Sequence, residues 1–298
     1  MKQAQVRIEP VSKIEDYHRC ERLQQEVWGF SDLSVIPHHL MIAAQADGGL
    51  VLGAYSTDEA GEEQLIGFLF GFPCLEPADD GRRQAKHCSM MCAVLADWRG
   101  QGIGYRLKLA QREFARAQGL ELITWTFDPL MSANAHFNFA KLGVIARRYL
   151  RDFYGDLGDR LNRGLPTDRF TVEWWINSPR VLSRLAQPEK PDFTRLDRLP
   201  PANYTTLQAG LLMNRALDLE LQAEALRVEI PRDFSALKRD DPGLAARWRS
   251  ESRRLFEHYL QAGYRVSEFF DDRRGDRPRS SYILEKYPKG LADRSQAW

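Results

Sequence analysis

Ile103, Leu107, Ala110, Phe114 and Ala117 recur at three- and four-residue spacing, so they share one face of a helix, while Arg106, Lys108, Arg112, Glu113 and Arg116 fall elsewhere on it. Gly119 ends that helix. Upstream, the spacing predicts a strand over Val6 to Pro10, helices over Ile14 to Trp28 and His39 to Ala46, and strands over Leu50 to Tyr55, Gln64 to Phe70 and Met90 to Leu95. Downstream, Leu122 to Phe127 is β-branched and aromatic and reads as a strand, as do Val144 to Leu150 and Phe170 to Ile176. The pattern is mixed α/β rather than a helical bundle.

The character changes after Ile176. Residues 179 to 201 carry five prolines and many charges and read as a connector. Beyond it, Leu226 to Ile230 is strand-like, Leu244 to Leu260 has helical spacing with Leu244, Trp248, Leu255 and Tyr259 inward, and Gly263 precedes the strand-like runs Tyr264 to Phe270 and Ser281 to Lys286. The order strand, helix, Gly, strand, strand repeats that of Leu122 to Ile176. The expected division is therefore 1–178, a connector 179–201, and a C-terminal block 202–298 that is either a partial repeat extending the sheet or an unrelated α+β cap.

Between the strand ending at Leu95 and the helix from Ile103 lies Arg99-Gly100-Gln101-Gly102-Ile103-Gly104. Glycines let a backbone approach a bulky anion, the first amides of the helix point donors at it, and Arg99 adds a fixed charge. A dinucleotide fingerprint would need Gly where Tyr105 stands, and a P-loop would need Gly-Lys-Ser/Thr. A tight strand-to-helix turn is the competing reading.

With 298 residues and 43% hydrophobic composition the chain has material for a substantial core. Lys and Arg number 42 against 41 Asp and Glu, so no whole-protein field favours nucleic acid or an anionic membrane. No apolar run approaches the ~20 residues of a membrane span, and no basic start leads into an apolar stretch, which makes the cytoplasm the expected location. Cys20, Cys74, Cys88 and Cys92 show no Cys-x-x-Cys spacing, and His38 and His39, being adjacent, are poor joint ligands, so no metal site is expected.

The Arg-x-x-Gly-x-Gly loop resembles that of the GNAT superfamily of acyl-CoA-dependent N-acyltransferases, and Ser132-Ala133-Asn134 through Lys141-Leu142-Gly143 resembles that family's Asn-led helix. Both motifs stand in the family's order, and the resemblance covers about residues 5 to 178. It implies a GNAT fold with a mixed central sheet. It implies a coenzyme site in which Arg99, Gly100, Gln101, Gly102, Ile103, Gly104 and Tyr105 hold the pyrophosphate, Val94 and Leu95 lie beside the thioester carbonyl, and Asn134 and Phe139 line the arm. It implies acetyl-CoA or succinyl-CoA as the co-substrate, with no metal. The acceptor is a small-molecule amine rather than nucleic acid or membrane, and a homodimer is compatible. The wording Trp125 to Leu130, with Asn162 to Pro166 and Asp168 to Phe170, resembles long bacterial GNAT proteins linked to N-acylamino acid metabolism, which suggests amino acid N-acylation. Protein tails or aminoglycosides as acceptors would call for an acidic groove, which the neutral charge balance does not support.

The chemistry needs a base for the ammonium and a donor for the leaving thiolate. Asp128, ending a strand at Asp-Pro-Leu, is a candidate base or an Asx turn. His87, placed before the fourth strand, is a candidate base or a surface histidine, with His38, His39 and Glu76 behind it. Many GNAT enzymes place tyrosine where Phe139 stands. An unprotonated thiolate leaving near pH 7 forfeits on the order of 2 kcal/mol, so Tyr149 and Tyr154 are candidate donors, or else aromatic packing. Arg169 or Arg163 meets an acceptor carboxylate or pairs with Asp168 or Asp159. A different class, a GNAT-fold module that binds acyl-CoA without turnover, is the alternative that Phe139 raises.

Overall fold

In the computed structural model the described residues are 6–57, 61–77, 81–155, 164–186, 192–274 and 277–287. They form two compact units, one up to Trp125 and one from Thr126 onward.

In the first unit the strands are β1 (Val6–Pro10), β2 (Leu50–Thr57), β3 (Glu63–Pro77), β4 (Arg83–Val94) and β5 (Leu122–Phe127), hydrogen-bonded in that order. Neighbours are antiparallel except β4 and β5, which are parallel. The helices are α1 (Ile14–Trp28), α2 (His38–Ala46) and α3 (Ile103–Ala117). Seven of the eight residues of β2 are buried, as expected of a strand covered on both faces. Its Val51, Leu52 and Ala54 join Tyr17, Cys20, Met41, Ile66, Phe68, Leu69 and Leu107 in one core.

Two departures from the sequence reading matter for the site. β4 starts at Arg83, so His87 lies within the strand rather than before it. Lys108, assigned off the apolar face of α3, is buried instead. Both polar groups escape a hydrophobic-period argument because tertiary packing, not local pattern, encloses them.

The second unit contains the short helix α4 (Ser132–Ala135), continued by a π-helical turn over His136–Lys141, then β6 (Ile145–Leu150), β7 (Arg169–Trp175), α5 (Pro179–Ala186), α6 (Phe193–Arg198), β8 (Asn203–Gln208), β9 (Leu211–Leu217), β10 (Ala225–Ile230), α7 (Phe234–Asp240), α8 (Pro242–Gln261), β11 (Tyr264–Asp272) and β12 (Arg279–Lys286). The segment expected to be a connector thus carries α5 and α6. Asp192 caps α6 and Asp241 caps α8, the latter with proline at its start. The hairpin β8–β9 was not expected, because its turn is made by Ala209 and Gly210, both at positive φ, and alanine gives no turn signal.

The strand order in this unit is β7-β6-β11-β12-β10. It is mirrored about β6 and β11, whose residues Ala146 and Val266 pair with each other. Each lies three residues past a left-handed glycine, Gly143 at φ 74 and Gly263 at φ 88. Each is followed by a bulge, between Ala146 and Arg148 against β7 and between Val266 and Glu268 against β12. The two strand pairs therefore share register as well as order. An aromatic cluster of Phe127, Phe139, Phe170, Phe256 and Tyr282, with ring centroids 4.7 to 6.2 Å apart, fills the interior.

Asp168 ties this unit together. It is fully buried, accepting from the Tyr149 hydroxyl at 2.7 Å, the Asp152 N–H at 2.9 Å and the Arg253 guanidinium at 2.7 and 2.9 Å. Burial works to raise its carboxyl pKa, but the bonds from Arg253, Asp152 and Tyr149 outweigh it and hold the group below the usual carboxylate range. Asp168→Ala strands a buried hydroxyl and a charged partner, and should lower unfolding stability by about 3–5 kcal/mol in urea denaturation. An unchanged midpoint would contradict that role.

Candidate active site

β4 and β5 pair at His87 with Ile123 and Cys88 with Thr124, and no pair beyond these is found among the described residues. Both strands continue, β4 to Val94 and β5 to Phe127, so they part after Cys88 and Thr124. On the β3 side the register slips between Phe70 and Gly71, which bulges β4 at Met90 just past the parting.

The loop after β4 has the expected form. Gly100 and Gly102 sit at φ 77 and 78, conformations that side chains strain to adopt, and a Cβ at either would project into open space. Gly102 is the N-cap of α3, and no side chain caps the helix. The first main-chain bond into the helix runs from Arg106 N–H to Gly102 O, leaving the N–H groups of Ile103, Gly104 and Tyr105 to meet an anion at the positive end of the helix dipole. Arg99 is exposed and turns its Nε back to the Val94 carbonyl at 3.1 Å, which fixes the guanidinium beside the loop. Val94 is half-buried and Leu95 nearly buried, while Gln101 is exposed and bonds the Asp97 carbonyl.

Beneath the parting lies a polar cluster. His87 is fully buried, edge-on to Phe114 with centroids 6.1 Å apart, and neither ring nitrogen has a hydrogen-bond partner. It is therefore not a surface histidine. Burial, assisted by the charge of Lys108, pushes its pKa down to about 4, so the imidazole is neutral near pH 7. Gly71 makes this packing feasible, since a Cβ there would collide with the His87 ring and the Cys88 carbonyl. Burial likewise lowers Lys108 to about 8.

In the second unit Asp128 combines its expected turn with an ion pair. Its Oδ1 accepts from Leu130 N–H at 2.9 Å and from Arg249 at 2.9 Å, and Oδ2 takes the other arm of Arg249, with Arg169 at 4.0 Å. Tyr149 is bound to Asp168 and held by burial and that carboxylate far above its usual pKa. Tyr154 is exposed, with its hydroxyl 2.8 Å from Thr126 Oγ1 and its ring under the Arg169 guanidinium. Arg169 donates to the Asp168 main-chain carbonyl, and the carboxylate pairs with Arg253 instead. Arg163, Asp159 and Asn162 lie outside the described residues. Asn134 is exposed on α4, and Phe139 is fully buried against Phe127 and Tyr282. Glu76 is bound by Lys86 at 2.8 Å.

One group was not visible in the sequence. His18, Glu21 and His38 bring ligating atoms within 4.8 Å, both Nδ1 atoms lying 2.9 Å from the Glu21 carboxylate, which also accepts the His38 main-chain N–H at 2.6 Å. Sequence spacing compared His38 with its neighbour His39, whereas the convergence runs between two helices.

Residues 13–144 match the acetyltransferase (GNAT) family. Over that segment, which includes the loop, the chain is similar to acyl-CoA-dependent N-acyltransferases. No curated protein sequence matches the chain. Among solved structures, Arabidopsis thaliana Naa50 in complex with the bisubstrate analogue CoA-Ac-MVNAL is 19% identical, covering 56% of this chain and 97% of its own, with a TM-score of 0.41. The Escherichia coli ribosomal-protein-S18-alanine N-acetyltransferase is 14% identical over 57% and 92%, with a TM-score of 0.40. A GNAT-family acetyltransferase from Streptococcus pneumoniae is 15% identical over 57% and 98%, with a TM-score of 0.41. Among the described residues no helix is long and apolar enough to cross a membrane.

The His87 shift has a measurable consequence. Its folded pKa lies below the unfolded value, so the unfolded chain binds the extra proton between about pH 6.5 and 4, and stability falls as pH drops through that window. Replacing it by glutamine should remove up to about 3 kcal/mol of this dependence. Urea titrations at pH 7, 5.5 and 4 test it, and parallel curves for the two proteins would show that His87 is solvated.

Proposed function

We propose that this protein transfers an acetyl or succinyl group from coenzyme A to the amine of a small metabolite, an amino acid in the reading that the Trp125 to Leu130 resemblance favours. The observation that carries the coenzyme part is the uncapped start of α3 behind two left-handed glycines, directly below strands that part. Phosphate oxygens supply the acceptors that the exposed amides lack, and Arg99 supplies the counter-charge. A linear arm then runs between β4 and β5, with a main-chain donor at Val94 polarising the thioester, since the Leu95 N–H is held by the Ile66 carbonyl at 2.9 Å.

In this reading Tyr154 donates the proton to the departing thiolate. Its hydroxyl is the accessible one of the two tyrosine candidates, whereas that of Tyr149 is committed to Asp168. Asp128, already holding Arg249 and its own turn, fixes the strand end rather than taking the proton. The amine is neutral when it attacks, having given one proton to solvent; as the C–N bond forms and the C–S bond breaks, Tyr154 protonates the sulfur, and the proton that nitrogen sheds on becoming an amide restores the tyrosine by way of solvent. Asn134, exposed on α4, is the residue that the resemblance assigns to the arm. Residues 202–298 are, in the same reading, a partial repeat without the phosphate loop, which the shared register of the two strand pairs supports.

Arg99→Ala should weaken coenzyme A binding by about 1–3 kcal/mol through loss of a charge-assisted contact. Gly102→Val should do more harm, because it strains the cap and fills the anion's place. Calorimetric titration with coenzyme A measures both, and an unchanged affinity for the arginine variant would sink the assignment. Incubation with acetyl-CoA or succinyl-CoA and a panel of D- and L-amino acids, read by thiol release and product mass, tests turnover. Tight binding without turnover on any amine would favour a non-catalytic acyl-CoA-binding module.

A further inference from the structure

Lys108 is 3% exposed and carries an ammonium that no carboxylate pairs with among the described residues. It donates to Ser89 Oγ at 2.7 Å and Gln111 Oε1 at 3.3 Å, and its Nζ lies 3.8 Å from the centre of the Trp125 ring. Ser89 and Trp125 are the residues that follow the last paired positions of β4 and β5, so the ammonium sits at the vertex where the strands part. Around it the donors exceed the acceptors. Gln111 Nε2 and both His87 ring nitrogens are buried without partners, and Gly71 keeps open the space they occupy. A buried cation with unmet donors beside it is costly, and such an arrangement is stable in use when an anion completes it. Trp125, Cys88 and Cys92, which adjoin the ammonium, are themselves half-buried.

We propose that Lys108, Gln111 and His87 form a carboxylate-binding subsite at the parting of β4 and β5, suited to an acyl-CoA whose acyl group carries a second, free carboxylate. The inference rests on the coenzyme reading above, and it adds that the acyl group is chosen by charge. Each carboxylate oxygen has two acceptor directions, enough for the third Lys108 proton, the Gln111 amide and one imidazole N–H. The same chemistry would suit the carboxylate of an amino acid acceptor, and the experiment separates the two. The groups facing Lys108 are His87, Ser89, Cys88 and Cys92 from β4, Gln111 from its own helix and Trp125 from β5. None of these carries a charge near pH 7, because burial keeps His87 neutral and raises the thiols, Cys88 to about 11.

The test compares wild type with Lys108→Met, Gln111→Leu and Lys108→Arg by calorimetric binding of coenzyme A, acetyl-CoA and succinyl-CoA, with no acceptor present. Wild type should bind succinyl-CoA more tightly than acetyl-CoA. Lys108→Met should weaken succinyl-CoA at least tenfold while leaving coenzyme A and acetyl-CoA within about twofold, Gln111→Leu should weaken it less, and Lys108→Arg should recover part of the loss. Wild-type succinyl-CoA affinity should fade as pH rises through about 8, and the acetyl-CoA affinity should not follow it. Removing an unpaired buried charge should also raise the unfolding midpoint of Lys108→Met, where a purely structural lysine would lower it. Steady-state assays with an amino acid and its decarboxylated amine supply the other arm: a KM increase in Lys108→Met for the amino acid alone, with no succinyl effect, assigns the subsite to the acceptor carboxylate. If coenzyme A binds and the variant alters neither arm, the subsite is refuted and the coenzyme reading stands; if coenzyme A does not bind wild type, both fall.

Discussion

Parallel pairing between β4 and β5 stops after two residue pairs, and the functional geometry of the first unit follows from that interruption. A sheet that continued its ladder would satisfy every main-chain group of both strands and leave no edge for a ligand arm. Here the strands run on without pairing to each other, with the helix start of α3 and its two left-handed glycines beyond the end of one of them. Main-chain donors, a phosphate cradle and a gap between strands thus arise from one local departure from regular structure. The bulge opposite Gly71 belongs to the same departure, since it turns the backbone of β4 at Met90, just past the point of parting.

What lies under the parting is polar where an apolar helix face would be expected. Lys108 and Gln111 replace the apolar side chains that a helix packed on a sheet normally presents, and His87 enters from β4 because Gly71 leaves room for it. Such a cluster weakens the core of its unit, which places its reason in binding rather than in stability.

The second unit solves the opposite problem. Two of its carboxylates are well supplied with donors, Asp168 from Tyr149, Asp152 and Arg253 and Asp128 from Arg249 and Leu130. These pairs join residues far apart in the chain and lock the ends of β5, β6 and β7 in place. The mirrored pairs β7–β6 and β11–β12 then set a frame in which Phe139 is one member of an aromatic core, and the absence of a hydroxyl there is a packing choice as much as a chemical one.

The sequence by itself determined the elements whose signals are local. The helix Ile14–Trp28, the strand Leu122–Phe127 and the glycine loop at Arg99 to Gly104 all declared themselves through periodicity, β-branching or the need for positive φ. The Asx turn at Asp128 did so as well. Tertiary structure alone decided what is buried with what: that Lys108 turns inward, that His87 is neutral and sealed within a strand, that Asp128 belongs to Arg249 across more than a hundred residues, and that His18 and His38 meet at Glu21. The physical reason is range. Backbone propensity and turn chemistry act over a few residues and are written into the order of side chains, whereas desolvation and charge pairing depend on neighbours that only folding brings together.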